Sequence, residues 1–310
     1  MKVIFMGTSE FACNVLTKLY NSHHEVVAVV CGMDKPTGRG NKVLPPPAKV
    51  LAQSLGIEVY QFNKIRVDGV DTLKSLAADV MVTASYGQIL SQEIIDICKY
   101  KVINVHGSLL PKYRGASPIQ TAILNGETKT GITIMQTDAG IDTGDMIEKK
   151  EVEICETDTY GSLSEKLSNV GGELVVKVLD DLQNGKAKFE KQNEKDSTYT
   201  KMISKGDSVL DFNTSAAALC NKVKALNPNP VAKFCVGLDS FKVFELKSRE
   251  WPQNAPNGMV LVADSKNGLI IKCKDGAVEV VEFQPPSSKR MTAKSYLNGK
   301  TIQIGTIING

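Results

Sequence analysis

VINVHGSLLPKYRG, residues 102–115, decides the fold of this chain. Val102, Ile103 and Val105 are β-branched and favour a strand, and they carry Asn104 and His106 with one residue between them. Side chains alternate faces along a strand, so Asn104 and His106 project from the same face. Gly107, Ser108 and Leu109-Leu110-Pro111 then end the strand and open a loop. An amide and an imidazole stand side by side at a strand's C-terminal end, where open α/β sheets place their chemistry. A histidine on an apolar strand is by itself more often structural. The asparagine on its face and the loop that opens behind it favour a functional role.

Upstream of this stretch, strand-like and helix-like segments alternate. KVIFMG reads as a buried strand and Glu10 to Tyr20 as a helix. EVVAVV, IEVYQF and DVMVTAS read as further strands, separated by the helical AKVLAQSLG and VDTLKSLAA. SQEIIDIC supplies a helix with Ser91 as N-cap. Strands rich in Val and Ile with helices between them predict a doubly wound, mostly parallel, Rossmann-like sheet. Downstream, GITIMQT and GDMIEKKEVEI read as two strands flanking a glycine-rich turn, followed by an amphipathic helix over residues 160–184. The polar stretch KAKFEKQNEKDSTYTKMIS predicts an interdomain linker over 186–204. Beyond it, short alternating strands set off by Gly, Asn and Asp predict a small β-barrel, OB-like, over 205–310. The expected division is therefore 1–185, a linker, and 205–310, two domains being natural for 310 residues.

Composition narrows the function classes. No stretch approaches the ~20 apolar residues that cross a bilayer, and MKVIFMGTSEF lacks the pattern of a secretory leader, so a cytoplasmic location is expected. Seven cysteines are scattered without a CxxC pair, which predicts reduced thiols and argues against a zinc site. With His23, His24 and His106 the only histidines, a metal site built on imidazoles is disfavoured as well. The net charge of +3 divides into +5 for residues 204–310 and −2 for the rest. A mildly basic C-terminal module suits a polyanionic partner, although so small an excess also fits an ordinary solvated surface.

MGTSEF follows the first strand with a single glycine, Gly7, so the GxGxxG of a dinucleotide site is missing, and no GxxxxGK[ST] loop occurs. Ser108 lies two residues from His106 but outside any GxSxG elbow, which favours a turn or capping role over that of a nucleophile. An acidic partner for His106 is expected in AGIDTGD, residues 139–145. Asp142 sits there between two glycines, with Asp138 and Asp145 as competitors and an Asx-turn as the plainer reading. KPTGRGNKVLPPP, residues 35–47, is a long loop with Arg39 between two glycines and Lys35 and Lys42 on either side. Its makeup suits insertion into an anionic partner, and a merely disordered loop fits equally well.

INVHGSLLPKYRGASPI together with GITIMQTDAGIDTGDM resembles the folate-dependent formyltransferases. The likeness spans the chain: VIFMGTSEFA, DKPTGRG, ADVMVTASYGQILS, LNPNP and FQPPSSKRMTAKSYLNGK are similar to the branch whose acceptor is methionine esterified to initiator tRNA. The resemblance implies formyl transfer from 10-formyltetrahydrofolate to that methionine's α-amine, by a monomer, without a metal or membrane partner. It implies Asn104, His106 and Asp142 as the catalytic set. A folate site would comprise Tyr86, Gly87, Gln88, Ile89 and Leu90 with Ser108, Leu109, Leu110 and Pro111. Arg39, Lys35 and Lys42 would meet the tRNA. Relatives acting on glycinamide ribotide or an amino-sugar nucleotide, and hydrolases of 10-formyltetrahydrofolate, are the alternatives.

Overall fold

The computed structural model describes residues 1–37 and 42–309. Contacts divide the chain into two units. The first comprises Met1–Pro118, Lys129–Glu153 and Ser164–Lys201; the second comprises Ile119–Thr128, Ile154–Leu163 and the chain from Met202 onward.

The first unit is built on seven strands: β1 (Lys2–Gly7), β2 (Glu25–Cys31), β3 (Val59–Gln61), β4 (Val80–Ala84), β5 (Val102–His106), β6 (Lys129–Gln136) and β7 (Met146–Glu153). Their order is β7-β6-β5-β4-β1-β2-β3. The five strands from β1 to β5 run parallel, and β6 and β7 add an antiparallel edge. The short 137–145 connection accounts for the antiparallel β6–β7 pair, because so short a link suits antiparallel neighbours. In β1 and β4 every apolar side chain from Val3 to Met6 and from Val80 to Val82 is buried, the signature of a sheet covered on both faces. On one face Ile4, Met6, Val30, Met81 and Val102 pack against Ile65, Leu73, Ile94 and Ile95. Asn104 and His106 continue the row that Val102 begins, past the covering helices and onto the sheet's C-terminal edge.

On the other face lies α1 (Glu10–Tyr20), whose buried Phe11, Ala12, Val15, Leu16 and Leu19 recur at helical spacing. Next to it runs the helix Tyr160–Gln183. Gly171 and Gly172 in that helix permit the close approach. A Cβ at Gly171 would come within 2.7 Å of Val105 Cγ1, and one at Gly172 within 2.6 Å of Lys18 Cγ.

Two stretches differ from the sequence expectation in detail. The 35–47 segment is not simply an extended loop, since Lys35–Thr37 and Lys42–Leu44 pair antiparallel. Residues 186–201 lie against the first unit, with a 3-10 turn at Glu194–Asp196 and a strand Tyr199–Thr200 paired to Arg114–Gly115.

The second unit holds an antiparallel sheet in the order Ala232–Val236, Asp239–Arg249, Gly276–Gln284, Gly268–Cys273, Val260–Asp264. Phe234, Phe241 and Phe283 stack in its core, and Tyr296 meets Phe241 and Phe283 edge-on. The helix Ala216–Ala225, capped by Ser215, buries Leu219 and Val223 into the same core.

Gly171→Ala tests the helix–sheet contact. Propensity alone would favour alanine by about 1 kcal/mol, whereas overpacking costs about 1–3 kcal/mol. Val105 is buried and stiff at χ1, so it yields little. The variant should unfold at lower denaturant concentration than the parent.

Candidate active site

At the end of β5 three polar side chains converge. Asn104 Nδ2 lies 3.4 Å from Asp142 Oδ1, and His106 Nδ1 lies 3.6 Å from Asp142 Oδ2. Their orientations follow from what each neighbour can do. A carboxylate only accepts, so the Asn104 amino group must be the end facing Asp142. The Asn104 carbonyl oxygen then receives the Thr83 hydroxyl at 2.8 Å, across the parallel β4–β5 ladder. One amide proton is left for a ligand. On the imidazole, Nε2 donates to the Tyr113 carbonyl at 3.0 Å, which leaves Nδ1 as the nitrogen turned toward Asp142. The His106 and Asp142 side chains are 6% and 19% exposed, so the cluster opens to solvent at the carboxylate.

Of the three aspartates in the 137–145 turn, geometry places one beside the histidine. Asp138 is spent within its own turn, accepting from Gly140 N at 3.0 Å and Thr143 Oγ1 at 2.7 Å. The carbonyl of Asp145 receives the Gln136 N–H, continuing the hairpin. Asp142 adopts the left-handed region, φ 53°, which turns its carboxylate back over the sheet edge, where the Gly115 N–H donates to Oδ2 at 2.8 Å. Gly144 makes this turn possible: a Cβ there would stand 1.8 Å from the Gln136 carbonyl oxygen.

The turn is also held from outside. Gln192 Nε2 donates to the carbonyls of both Asp142 and Gly144, each at 2.8 Å. Gln192 Oε1 receives Arg114 Nε at 2.9 Å, and the Arg114 guanidinium forks onto Glu194 at 2.9 and 2.7 Å and reaches the Tyr199 hydroxyl at 2.9 Å. Arg114 is fully buried, and Glu194 on it raises its already high pKa, while the guanidinium holds the Glu194 carboxyl below its ordinary value.

The remaining predicted residues divide between framework and surface. The buried Ser108 donates to the Lys112 carbonyl at 2.6 Å, closing a turn as its sequence suggests. Thr133 on β6 donates to the Ser108 carbonyl and receives the Leu110 N–H. Leu110 packs on Met135 and Met146, while Leu109 and Pro111 are half-buried. In 85–90 the Gln88 side chain is turned inward, donating to the Phe62 carbonyl and accepting from Ile65 N. Tyr86 is buried with its hydroxyl unpartnered, and burial pushes that phenol up. Gly87 (φ 81°) and Ile89, which is 72% exposed, form the outward surface of the turn, with Leu90 half-buried beside them. Lys35 and Lys42 are exposed, and Arg39 lies outside the described residues.

Thr83, Thr133, Gln192 and the carbonyl of Tyr113 carry no motif of their own, and sequence reasoning passes over them. A clue to Arg114 was available, since it sits in the opening stretch eight residues after His106.

An amide, an imidazole and a carboxylate thus meet at the C-terminal edge of an α/β sheet, where such sheets place their chemistry. The Formyl transferase family matches residues 1–179 and the Formyl transferase, C-terminal domain, residues 202–301, so the chain belongs to the formyl transferases. It is 41% identical over 307 residues to a methionyl-tRNA formyltransferase of Sulfurihydrogenibium sp., covering 98% of this chain and 99% of that one. It is 42% identical over 310 residues to a methionyl-tRNA formyltransferase of Acetivibrio thermocellus, covering 99% of each. Among solved structures, an N-formyltransferase from Helicobacter canadensis, in complex with folinic acid and dTDP-3-aminofucose, is alike in fold. The TM-score is 0.68 at 20% identity, over 94% of this chain and 100% of that one.

Gln192→Ala should release the Asp142 turn while leaving the sheet intact. Two neutral hydrogen bonds at about 0.5–1.5 kcal/mol each and one from the Arg114 guanidinium at about 1.5–3 kcal/mol set an expected loss of about 2.5–6 kcal/mol. Amide exchange should accelerate in residues 138–145 and stay unchanged in β1 and β4.

Proposed function

We infer that this chain transfers a formyl group from 10-formyltetrahydrofolate to the α-amine of methionyl initiator tRNA. What carries the reading is the convergence of Asn104, His106 and Asp142 in a chain similar over its whole length to methionyl-tRNA formyltransferases.

An α-amine titrates near ~8, so a neutral nucleophile is accessible at neutral pH. Its nitrogen attacks the formyl carbon, and the carbonyl electron pair moves onto oxygen. In this reading the free Asn104 amide proton and a proton on His106 Nδ1 stabilise that oxyanion, each donor supplying about 2.7–4 kcal/mol. The Nε2 bond to Tyr113 fixes the ring while Nδ1 acts. Asp142 balances charge on the ring and accepts a proton from the attacking nitrogen, directly or through water. As the tetrahedral centre collapses, the bond to folate N10 breaks and N10 takes a proton. The 3.4 and 3.6 Å separations are looser than finished hydrogen bonds, as catalytic contacts often are without substrate.

The folate is read as lying along the turn that follows β4, next to the end of β5. Gly87 and Ile89 there offer backbone and an apolar ledge, while the framework of Ser108, Leu109, Leu110 and Pro111 lines the neighbouring strand end. Because Tyr86 and Gln88 point inward, their contribution to the folate comes from the main chain. The C-terminal unit is read as an OB-like barrel that carries tRNA on its basic excess of +5, with residues 186–204 joining the two functions. No helix among the described residues is long and apolar enough to cross a membrane. A cytoplasmic monomer fits a substrate as large as charged tRNA.

Offered formyl-folate with charged initiator tRNA, charged elongator tRNA or no acceptor, the enzyme should formylate the first. Appreciable release of formate without acceptor would return it to the hydrolases. Asn104→Ala should lower kcat by about 10²–10³. His106→Ala and Asp142→Ala should abolish turnover while the fold and folate binding persist, so near-normal kcat in either removes the catalytic assignment.

Arg39→Ala and the pair Lys35→Ala, Lys42→Ala should raise KM for charged tRNA and flatten its salt dependence without lowering Tm. Unchanged tRNA kinetics would exclude this hairpin from the acceptor site.

A further inference from the structure

The turn between α1 and β2 carries His23 and His24, which the transfer reaction does not use. They lie where β2 begins, on the edge of the sheet opposite the one at which β5 ends in His106. Asp180, near the C-terminal end of the helix Tyr160–Gln183, faces both. His23 Nε2 is 2.6 Å from Asp180 Oδ1, and His24 Nε2 is 3.4 Å from the same oxygen. The two rings are 4.3 Å apart between centroids.

An ordinary ion pair explains His23 and Asp180 but leaves His24 unaccounted for. Its side chain is fully buried, its main-chain N–H donates to Ser22 Oγ at 3.1 Å, and its Nδ1 is 3.3 Å from the Met1 amine. Its Nε2 is aimed at the Asp180 carboxylate at 3.4 Å but out of line for a hydrogen bond, with the Val176 main chain as its other polar neighbour. A fully buried imidazole nitrogen met only by poorly aligned oxygens is costly, and a cation shared with the neighbouring donors removes that cost.

We propose that His23, His24 and Asp180 form a structural site for a divalent transition-metal ion of the zinc class. Two imidazole nitrogens and a carboxylate oxygen are zinc's usual protein donors, whereas calcium and magnesium prefer all-oxygen shells. The three ligand atoms already lie within 4.8 Å of one another. Donors around one tetrahedral ion at about 2.0–2.1 Å stand roughly 3.3 Å apart. Closing to that spacing takes side-chain rotation only, because His23 is 65% and Asp180 38% exposed while the buried His24 supplies the fixed point. A water completes the shell on the exposed side. The ion ties the end of the long helix to the start of β2, far from the reacting atoms, so the site stabilises the fold and takes no part in transfer.

The test is titration of the metal-free full-length protein with Zn²⁺, followed by calorimetry and thermal unfolding, in a thiol-free phosphine reductant. One saturable site is expected, with a Tm that climbs with free Zn²⁺. His23→Gln and Asp180→Asn should each weaken binding at least tenfold. His23→Gln, at an exposed position, should keep the parental Tm without metal and the parental formyl-transfer rate. Co²⁺ should give a tetrahedral visible spectrum free of thiolate charge-transfer bands. Absence of a one-to-one site, affinity undiminished in both variants, or a thiolate spectrum would each overturn the proposal.

Discussion

A guanidinium without access to water organises the catalytic unit. Arg114 is fully buried, and a desolvated charge persists only when its donors are met. Four of them are, by Gln192, Glu194 and Tyr199, which draws residues 192–199 against the sheet. Gln192 in turn clamps the carbonyls flanking the Asp142 turn, and the Gly115 N–H next to Arg114 meets the Asp142 carboxylate. The acid beside His106 is thus positioned by hydrogen bonds that begin at one arginine. Site chemistry needs placement of this precision, and the strap supplies it to Asp142 through the turn it holds.

The sheet supplies the other half of the placement. Parallel β4 and β5 bring Thr83 and Asn104 into register, and the Thr83 hydroxyl holds the Asn104 amide with its amino group toward Asp142. Thr133 on the antiparallel β6 ties down the Ser108–Leu110 turn from the opposite neighbour. The strands flanking β5 thus hold Asn104 and the turn that follows His106, while His106 itself is fixed by the Tyr113 carbonyl. The strand carries the amide and imidazole, while the carboxylate arrives on a turn held by Gln192 and the Gly115 N–H. The two ends of the sheet differ in what they gather: Asn104, His106 and Asp142 at the C-terminal edge, and at the other a histidine pair whose third partner is 157 residues away from His23.

Much of this was legible in the residues themselves. The β-branched runs and intervening amphipathic helices gave the five parallel strands, and α1 begins and ends at the residues its spacing indicates. NxH on β5 was readable because the two-residue period of a strand is a local property. The polar run 186–204 was not readable in the same way. It has no apolar period, and its order comes from hydrogen bonds to Arg114, Gly115, Asp142 and Gly144, partners remote in sequence. Counting three histidines likewise cannot show that two adjacent ones meet a distant carboxylate, as His23 and His24 meet Asp180.

By itself the sequence determined the strands, the helices, the family and which side chains share the face of β5, because periodicity and motif spacing act over a few residues. Tertiary structure alone brought Asp142, of the three aspartates, beside His106, turned the amide of Asn104, and made a brace for that turn out of what reads as a linker. Those outcomes depend on which donors and acceptors meet across the fold once water is excluded, and no local pattern encodes that.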